Sequence, residues 1–379
     1  MKEIGLYIHI PFCKKKCYYC DFISFSGKEE KIEDYIKTLN YEIKYEKQNK
    51  EEYKITTVYI GGGTPSFINS KYIKSIIKNI KENYNVDMDA EITLELNPGT
   101  INEEKLEDYK NAGINRLSIG LQSTNNELLK EIGRIHNYEE FLNCYNLVRK
   151  VGFKNVNVDL MLGLPNQTLQ DIEDSLNKII ELNPEHISFY SLILEEGTVI
   201  EKYIQEAKIE LPDEDIERKM YWKAKKILEN NNYIQYEISN FSKKGYESKH
   251  NTNCWKQKEY LGFGVAAHSY YENKRYCNLN NIEKYIENIE NNKIKENRVI
   301  CEIQKEEDKK KEYMLLGLRM IEGVNIQEFK NKFIDNPIYV YRKELEKLVK
   351  KDLLQIDLNN IKLTNKGIDF ANIVWEEFV

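Results

Sequence analysis

Short β-rich runs alternate with longer charged segments of helical period through the first two-thirds of the chain. This alternation limits the fold more than any other feature. The runs are Leu6–Ile10, Thr57–Ile60, Ile92–Leu96, Arg116–Ile119, Val156–Leu160 and Ile187–Leu192. Between them lie Glu30–Glu46, Lys71–Asn83, Glu103–Ala112, Tyr138–Val151 and Leu169–Leu182. Repeated βαβ units predict a parallel sheet, and crossovers of one hand wind it one way. The expectation is therefore an α/β fold curled into a full or partial barrel of six β/α units. In such sheets the chemistry gathers at the C-terminal strand ends. Unusual residues do follow each run: a cysteine triplet, then Gly61-Gly62-Gly63-Thr64-Pro65, Glu95-Leu96-Asn97-Pro98-Gly99, Gly120-Leu121-Gln122-Ser123, and Asp159 running into Gly163-Leu164-Pro165.

The 379 residues leave room for a second unit. Residues 1–280 read as the barrel with an extension, and Glu283–Glu306 as a linker or helical connection. Residues 300–379 read as a small, mostly helical unit. There, helical patterns at Lys305–Ile321, Ile326–Lys332 and Tyr339–Lys351 precede short strands at Leu354–Ile356 and Ile361–Leu363, with Thr364 as an N-cap. Three helices and a hairpin suggest a winged-helix-like module. The net charge of −6 argues against a nucleic-acid partner. No apolar run approaches the roughly 18 residues of a membrane span. The N-terminal MKEIGLYIHIPFC lacks the apolar core of a signal peptide, so a cytoplasmic location is expected.

Three of the seven cysteines, Cys13, Cys17 and Cys20, form a C-x3-C-x2-C motif. A disulfide framework is improbable in a chain of this size and setting. Structural zinc wants four protein ligands, and no fourth Cys or His follows closely. Three thiolates suit a [4Fe–4S] cube with one iron left for another ligand. A zinc site completed by a distant fourth residue is the competing reading. For Cys144, Cys277 and Cys301 the expectation is buried apolar thiols.

The motif after a first strand resembles that of the radical S-adenosylmethionine (SAM) superfamily, in which the open iron binds the amino and carboxylate groups of SAM. Tyr7–Cys13, Gly61–Pro65, Glu95–Pro98, Leu117–Ser123, Asp159–Pro165, Gly262–Ser269 and Leu363–Gly367 resemble its HemN/HemW branch from end to end. The resemblance implies a partial (β/α)6 radical SAM barrel with a HemN-type C-terminal domain, a [4Fe–4S] cluster on Cys13, Cys17 and Cys20, and SAM. It implies that Tyr7 and Tyr19 contact SAM near the cluster, and that Gly62, Gly63 and Thr64 let backbone approach its methionyl end. Glu95 matches the branch's SAM-binding glutamate. Gln122 and Asp159 match polar contacts, and Arg134 matches an arginine near a second SAM position.

Two activities share the branch: oxygen-independent coproporphyrinogen III oxidase, and a haem chaperone that delivers haem to respiratory proteins. The oxidase motif carries a further Cys two residues after the third and a longer N-terminal segment. Here Phe22 takes that place, and twelve residues precede Cys13. His250-Asn251-Thr252-Asn253-Cys254-Trp255 resembles the chaperones' HNxxYW motif, whose His is implicated in haem binding, with Cys254 in place of Tyr. Imidazole is a common axial haem ligand, which makes His250 the haem candidate. The expected partners are haem and haem-receiving proteins, with a cluster-dependent homodimer conceivable.

Overall fold

A computed structural model describes residues 2–48 and 53–379. Six strands and their crossovers form its centre. They are β1 (Lys2–Ile10), β2 (Tyr53–Gly62), β3 (Asn85–Leu96), β4 (Arg116–Gln122), β5 (Val156–Leu162) and β6 (His186–Ser191). The intervening helices are α1 (Ile32–Gln48), α2 (Ser70–Asn83), α3 (Glu103–Ala112), α4 (Asn126–Glu131), α5 (Tyr138–Val151) and α6 (Leu169–Leu182). Each neighbouring pair from β1 to β6 is parallel. The sheet is a partial barrel, open at both ends of its strand order.

Side chains on each strand alternate between two faces. Ile4, Leu6, Ile8 and Ile10 of β1 join the main hydrophobic core with the helices. Gly5, Tyr7 and His9 point into the barrel. The helices follow from spacing and caps. In α2, Ile73, Ile76, Ile77 and Ile80 recur at i, i+3, i+4 and i+7, all buried, and Asn69 accepts the Lys71 N–H at its start. Each such isoleucine contributes about 2 kcal/mol by leaving water, so Ile77→Ala would cost on the order of 3 kcal/mol. α5 begins with a reciprocal cap between Asn137 and Glu140.

Beyond β6 come α7 (Val199–Gln205), α8 (Glu214–Asn230), β7 (Ile234–Glu237), β8 (Asn240–Ser242), α9 (Lys249–Trp255), β9 (Tyr260–Phe263), β10 (His268–Tyr271), β11 (Lys274–Asn278), α10 (Ile282–Glu290) and β12 (Arg298–Ile303). β9 adds to β1 in parallel, and the remaining strands extend both edges antiparallel. The segment expected as a linker or helical connection is helical in α10, but its second half joins the sheet, where β12 pairs with β11 from Lys274↔Ile303 to Asn278↔Arg298.

The remaining residues form α11 (Glu306–Gly317), β13 (Val324–Asn325), α12 (Ile326–Phe333), α13 (Pro337–Val340), α14 (Arg342–Lys350), β14 (Leu354–Ile356), β15 (Asn360–Leu363), α15 (Asn365–Asp369) and α16 (Ala371–Glu376). They have a core of their own, including Met314, Phe329, Leu348, Ile361 and Val374. The single helix expected over Tyr339–Lys351 is divided at Tyr341, whose backbone leaves the helical region. Thr364 caps α15 as expected, accepting the Gly367 N–H at 2.9 Å. Among the described residues no helix is long and apolar enough to cross a membrane.

Candidate functional site

Twelve of the thirteen expected site residues lie on the barrel strands or the loops at their C-terminal ends. The cysteine loop leaves β1 and is held by backbone: Cys13 N–H donates to Phe25 O at 3.0 Å, and Tyr18 N–H to Ile132 O at 3.0 Å. Cys13 Sγ lies 3.4 Å from Thr64 Oγ1. Burial raises the Cys13 thiol, and burial followed by the Cys17 charge raises Cys20 to about 11. The Cys17 charge therefore reaches both Cys13 and Cys20 and disfavours their thiolates until a cation offsets it. Arg134 supplies part of that offset, with Nη1 3.6 Å from Cys17 Sγ. Its Nη2 donates to Asn97 Oδ1 at 2.8 Å and to Gly120 O. Tyr19 lies between these groups, close to Arg134, Cys17, Cys20 and Asp159, and burial raises its phenol.

The glycine run after β2 is demanded by close packing. Gly62 has φ +110°, and a Cβ there would sit 2.5 Å from the His9 ring. A Cβ on Gly63 would sit 2.9 Å from Ile10 O. Gly63 and Thr64 donate their N–H groups to Ile10 O (2.9 Å) and Phe12 O (2.8 Å), clamping the run to the cysteine loop. His9 Nε2–H donates to Ile23 O at 2.8 Å, and Nδ1 accepts from the Tyr7 hydroxyl at 2.9 Å. Burial lowers its pKa to about 4, so the ring is neutral.

Two carboxylates stand inside the barrel. Glu95 accepts from Tyr59 Oη at 2.7 Å and from Gly62 N–H at 3.2 Å. Burial, with the charge of Asp159 as a lesser cause, lifts its pKa to about 7. Asp159 accepts from Asn157 Nδ2 at 2.7 Å and Ser118 Oγ at 3.2 Å, and burial raises it too. Gln122 ends β4 with φ +78°, where the β4–β5 register slips. Such bulges re-aim a side chain beside a site.

The residues present fit the implied groups. The Cys17 charge reaches both Cys13 and Cys20, and a guanidinium lies beside Cys17, a donor set whose chemistry suits a thiolate-held cluster. Among the described residues no three His, Cys, Asp or Glu side chains are already drawn together as a metal site. Glu95 and Asp159, half-buried on the barrel wall, have ionised forms that desolvation disfavours and would gain from a cation near them. A shallow cleft opens beside Cys17, Thr64, Asn97, Arg134 and His136.

His250 stands apart from the other twelve. α9 closes the barrel floor: Glu91 accepts the Lys249 and His250 N–H groups, both at 3.0 Å. The His250 ring is enclosed, with Nδ1 2.9 Å from Thr57 Oγ1 and its face stacked on Tyr59 at 5.2 Å. Burial lowers its pKa to about 4. At the end of α9, Arg319 stacks over Trp255 at 4.4 Å and over Trp375 at 5.3 Å, tying the C-terminal unit to this helix. Burial raises the Cys254 thiol to about 11, so it stays protonated at neutral pH.

Sequence reasoning passed over Arg116 and His136. Arg116 is buried inside the barrel, and His136 lines the cleft. Arg116 sits at the start of a recognised strand in an inward register, a signal that was available. His136 lies two residues past Arg134, in a loop with no periodicity to place it.

Comparisons with known proteins agree with this geometry. The profile of the Radical SAM superfamily matches residues 7–179, and that of the HemN C-terminal domain matches residues 305–370. The chain is 36% identical over 378 residues to the protein named heme chaperone HemW of Lactococcus lactis, covering 100% of this chain and 98% of that one. It is 35% identical over 374 residues to the Bacillus subtilis protein of that name, covering 98% of each. The solved coproporphyrinogen III oxidase (HemN) of Escherichia coli superposes with a TM-score of 0.85 at 22% identity, covering 100% of this chain and 90% of that one. That likeness speaks to fold alone.

Proposed function

The chain belongs to the HemW family within the radical SAM superfamily, and from that premise we propose that it is a SAM-binding [4Fe–4S] haem chaperone. End-to-end similarity to proteins named heme chaperone HemW carries the proposal. Phe22, 63% exposed, supports it from this chain's own residues. It stands where the resemblance to the oxidase would require a further cysteine.

In this reading Cys13, Cys17 and Cys20 hold the cluster and Arg134 offsets the charge at Cys17. Tyr7, Tyr19, Gly62, Gly63, Thr64, Glu95, Gln122 and Asp159 form the surroundings of SAM. A cluster so held supplies single electrons and one iron free to take a small ligand. Glu95 and Asp159 would supply negative charge for the cationic groups of SAM, and the clamped glycine run presents backbone where a Cβ would collide. Haem ligation by His250 requires α9 to lift from Glu91, which frees the imidazole from the barrel floor. Haem passes on to recipient proteins in the cytoplasm or at its boundary.

Anaerobic reconstitution followed by parallel titration with haem and incubation with coproporphyrinogen III tests the proposal. Stoichiometric haem binding without turnover is expected. Decarboxylation of coproporphyrinogen III would overturn the chaperone reading in favour of the oxidase.

A further inference from the structure

Arg116 opens β4, and its Cα pairs with Thr93 of β3. Two positions on, Ser118 pairs with Glu95 and hydrogen-bonds Asp159 inside the barrel. Strand alternation therefore sends Arg116 into the barrel one layer below those carboxylates. It is 2% exposed and is the largest fully buried side chain among the described residues.

Its guanidinium has no ion-pair contact among the described residues. The Nε–H has no hydrogen-bond acceptor, and among the described residues no carboxylate oxygen comes within 4.0 Å of the group. The nearby carboxylates are committed elsewhere: Glu91 to the first N–H groups of α9, Glu95 to Tyr59 and Gly62, Asp159 to Asn157 and Ser118. The two imidazoles that feel its charge, His186 and His250, are held neutral, mainly by burial and then by Arg116 itself. Glu95 and Asp159 feel its charge from a distance, but neither is in contact with it. A buried cation without a contacting partner is costly, and a guanidinium matches a carboxylate with two parallel hydrogen bonds. The space above is not sealed, because Tyr7, Tyr59, Glu95 and Asp159 on the barrel wall are only half-buried.

We propose that Arg116 forms the floor of a ligand well and takes a carboxylate of the ligand. Charge then alternates along the well: Glu95 and Asp159 face a cation, and Arg116 an anion. The identity of the ligand as haem, through a propionate, rests on the chaperone reading. A free small carboxylate shares the chemistry.

The test compares haem with haem dimethyl ester, whose carboxylates are masked, on reconstituted native protein, R116Q and R116K. Iron content and melting temperature report folding. Native protein should favour haem over the ester by about tenfold, the size of one charge-assisted pair. R116Q should lose that preference and keep its iron, and R116K should keep part of it. Equal affinity of native protein for haem and ester overturns the proposal without any variant. An undiminished preference in R116Q also overturns it. If native protein binds neither, the chaperone reading fails, and the carboxylate site is judged on coproporphyrin III. Binding that R116Q loses upholds the site, and absence of binding ends it.

Discussion

Glu95→Gln should make the SAM-free protein more stable while weakening its hold on SAM. Glu95 is lifted to about 7 from an ordinary 4.5, with burial as the leading cause. That displacement costs the ionised form on the order of 3 kcal/mol. The sign follows from linkage: the folded state holds the proton more tightly than the unfolded state, so protonation favours folding. The cost is absent below pH 4.5, grows as pH rises, and is complete above about 7. Gln removes it, but loses one of the two bonds from Tyr59 and Gly62, about 1 kcal/mol. A net gain of roughly 2 kcal/mol above pH 7 remains, or several degrees of melting temperature in a chain of this size. Melting curves of native and variant protein from pH 5 to 8, with and without SAM, measure it. The variant should melt higher at pH 8 and level with the native protein near pH 5. SAM should raise the native melting temperature more than the variant's. A variant less stable than native at pH 8, or equally raised by SAM, would refute the reasoning.

Three further outcomes are expected. Gly62→Ala places a Cβ 2.5 Å from the His9 ring at φ +110° and should cost at least about 2 kcal/mol, read by denaturant unfolding. Cys17→Ala should remove the cluster while leaving the barrel folded; iron and cluster absorbance unchanged per chain would count against the three-thiolate site. Glu91→Gln weakens two bonds that hold α9 down and should speed haem uptake about tenfold, the effect of roughly 1.4 kcal/mol. Uptake at the native rate in stopped-flow absorbance would rule out lifting of α9.

Where hydrophobic period and strand-end chemistry coincide, the barrel is readable in advance. α3, α5 and α6 have the bounds that periodicity predicts, because caps and buried stripes agree locally. The rim glycines, Glu95 and Asp159 follow from their places at strand ends. β12 escaped because Val299, Ile300 and Ile303 are all exposed; its strand character comes from pairing with β11, a partner that local pattern does not reveal. The floor position of His250 escaped for a similar reason. Glu91 and Thr57, which fix it, lie 159 and 193 residues away. Arg116 reads from sequence as a strand boundary, and its isolation becomes visible only when the neighbouring carboxylates are seen to be engaged.

The most direct measurement is the Mössbauer spectrum of the anaerobic protein reconstituted with 57Fe, before and after SAM is added. Four irons should be present, one of them distinct, and the signal of that one should move with SAM. Four equivalent irons indifferent to SAM, or zinc bound at Cys13, Cys17 and Cys20, would contradict the account.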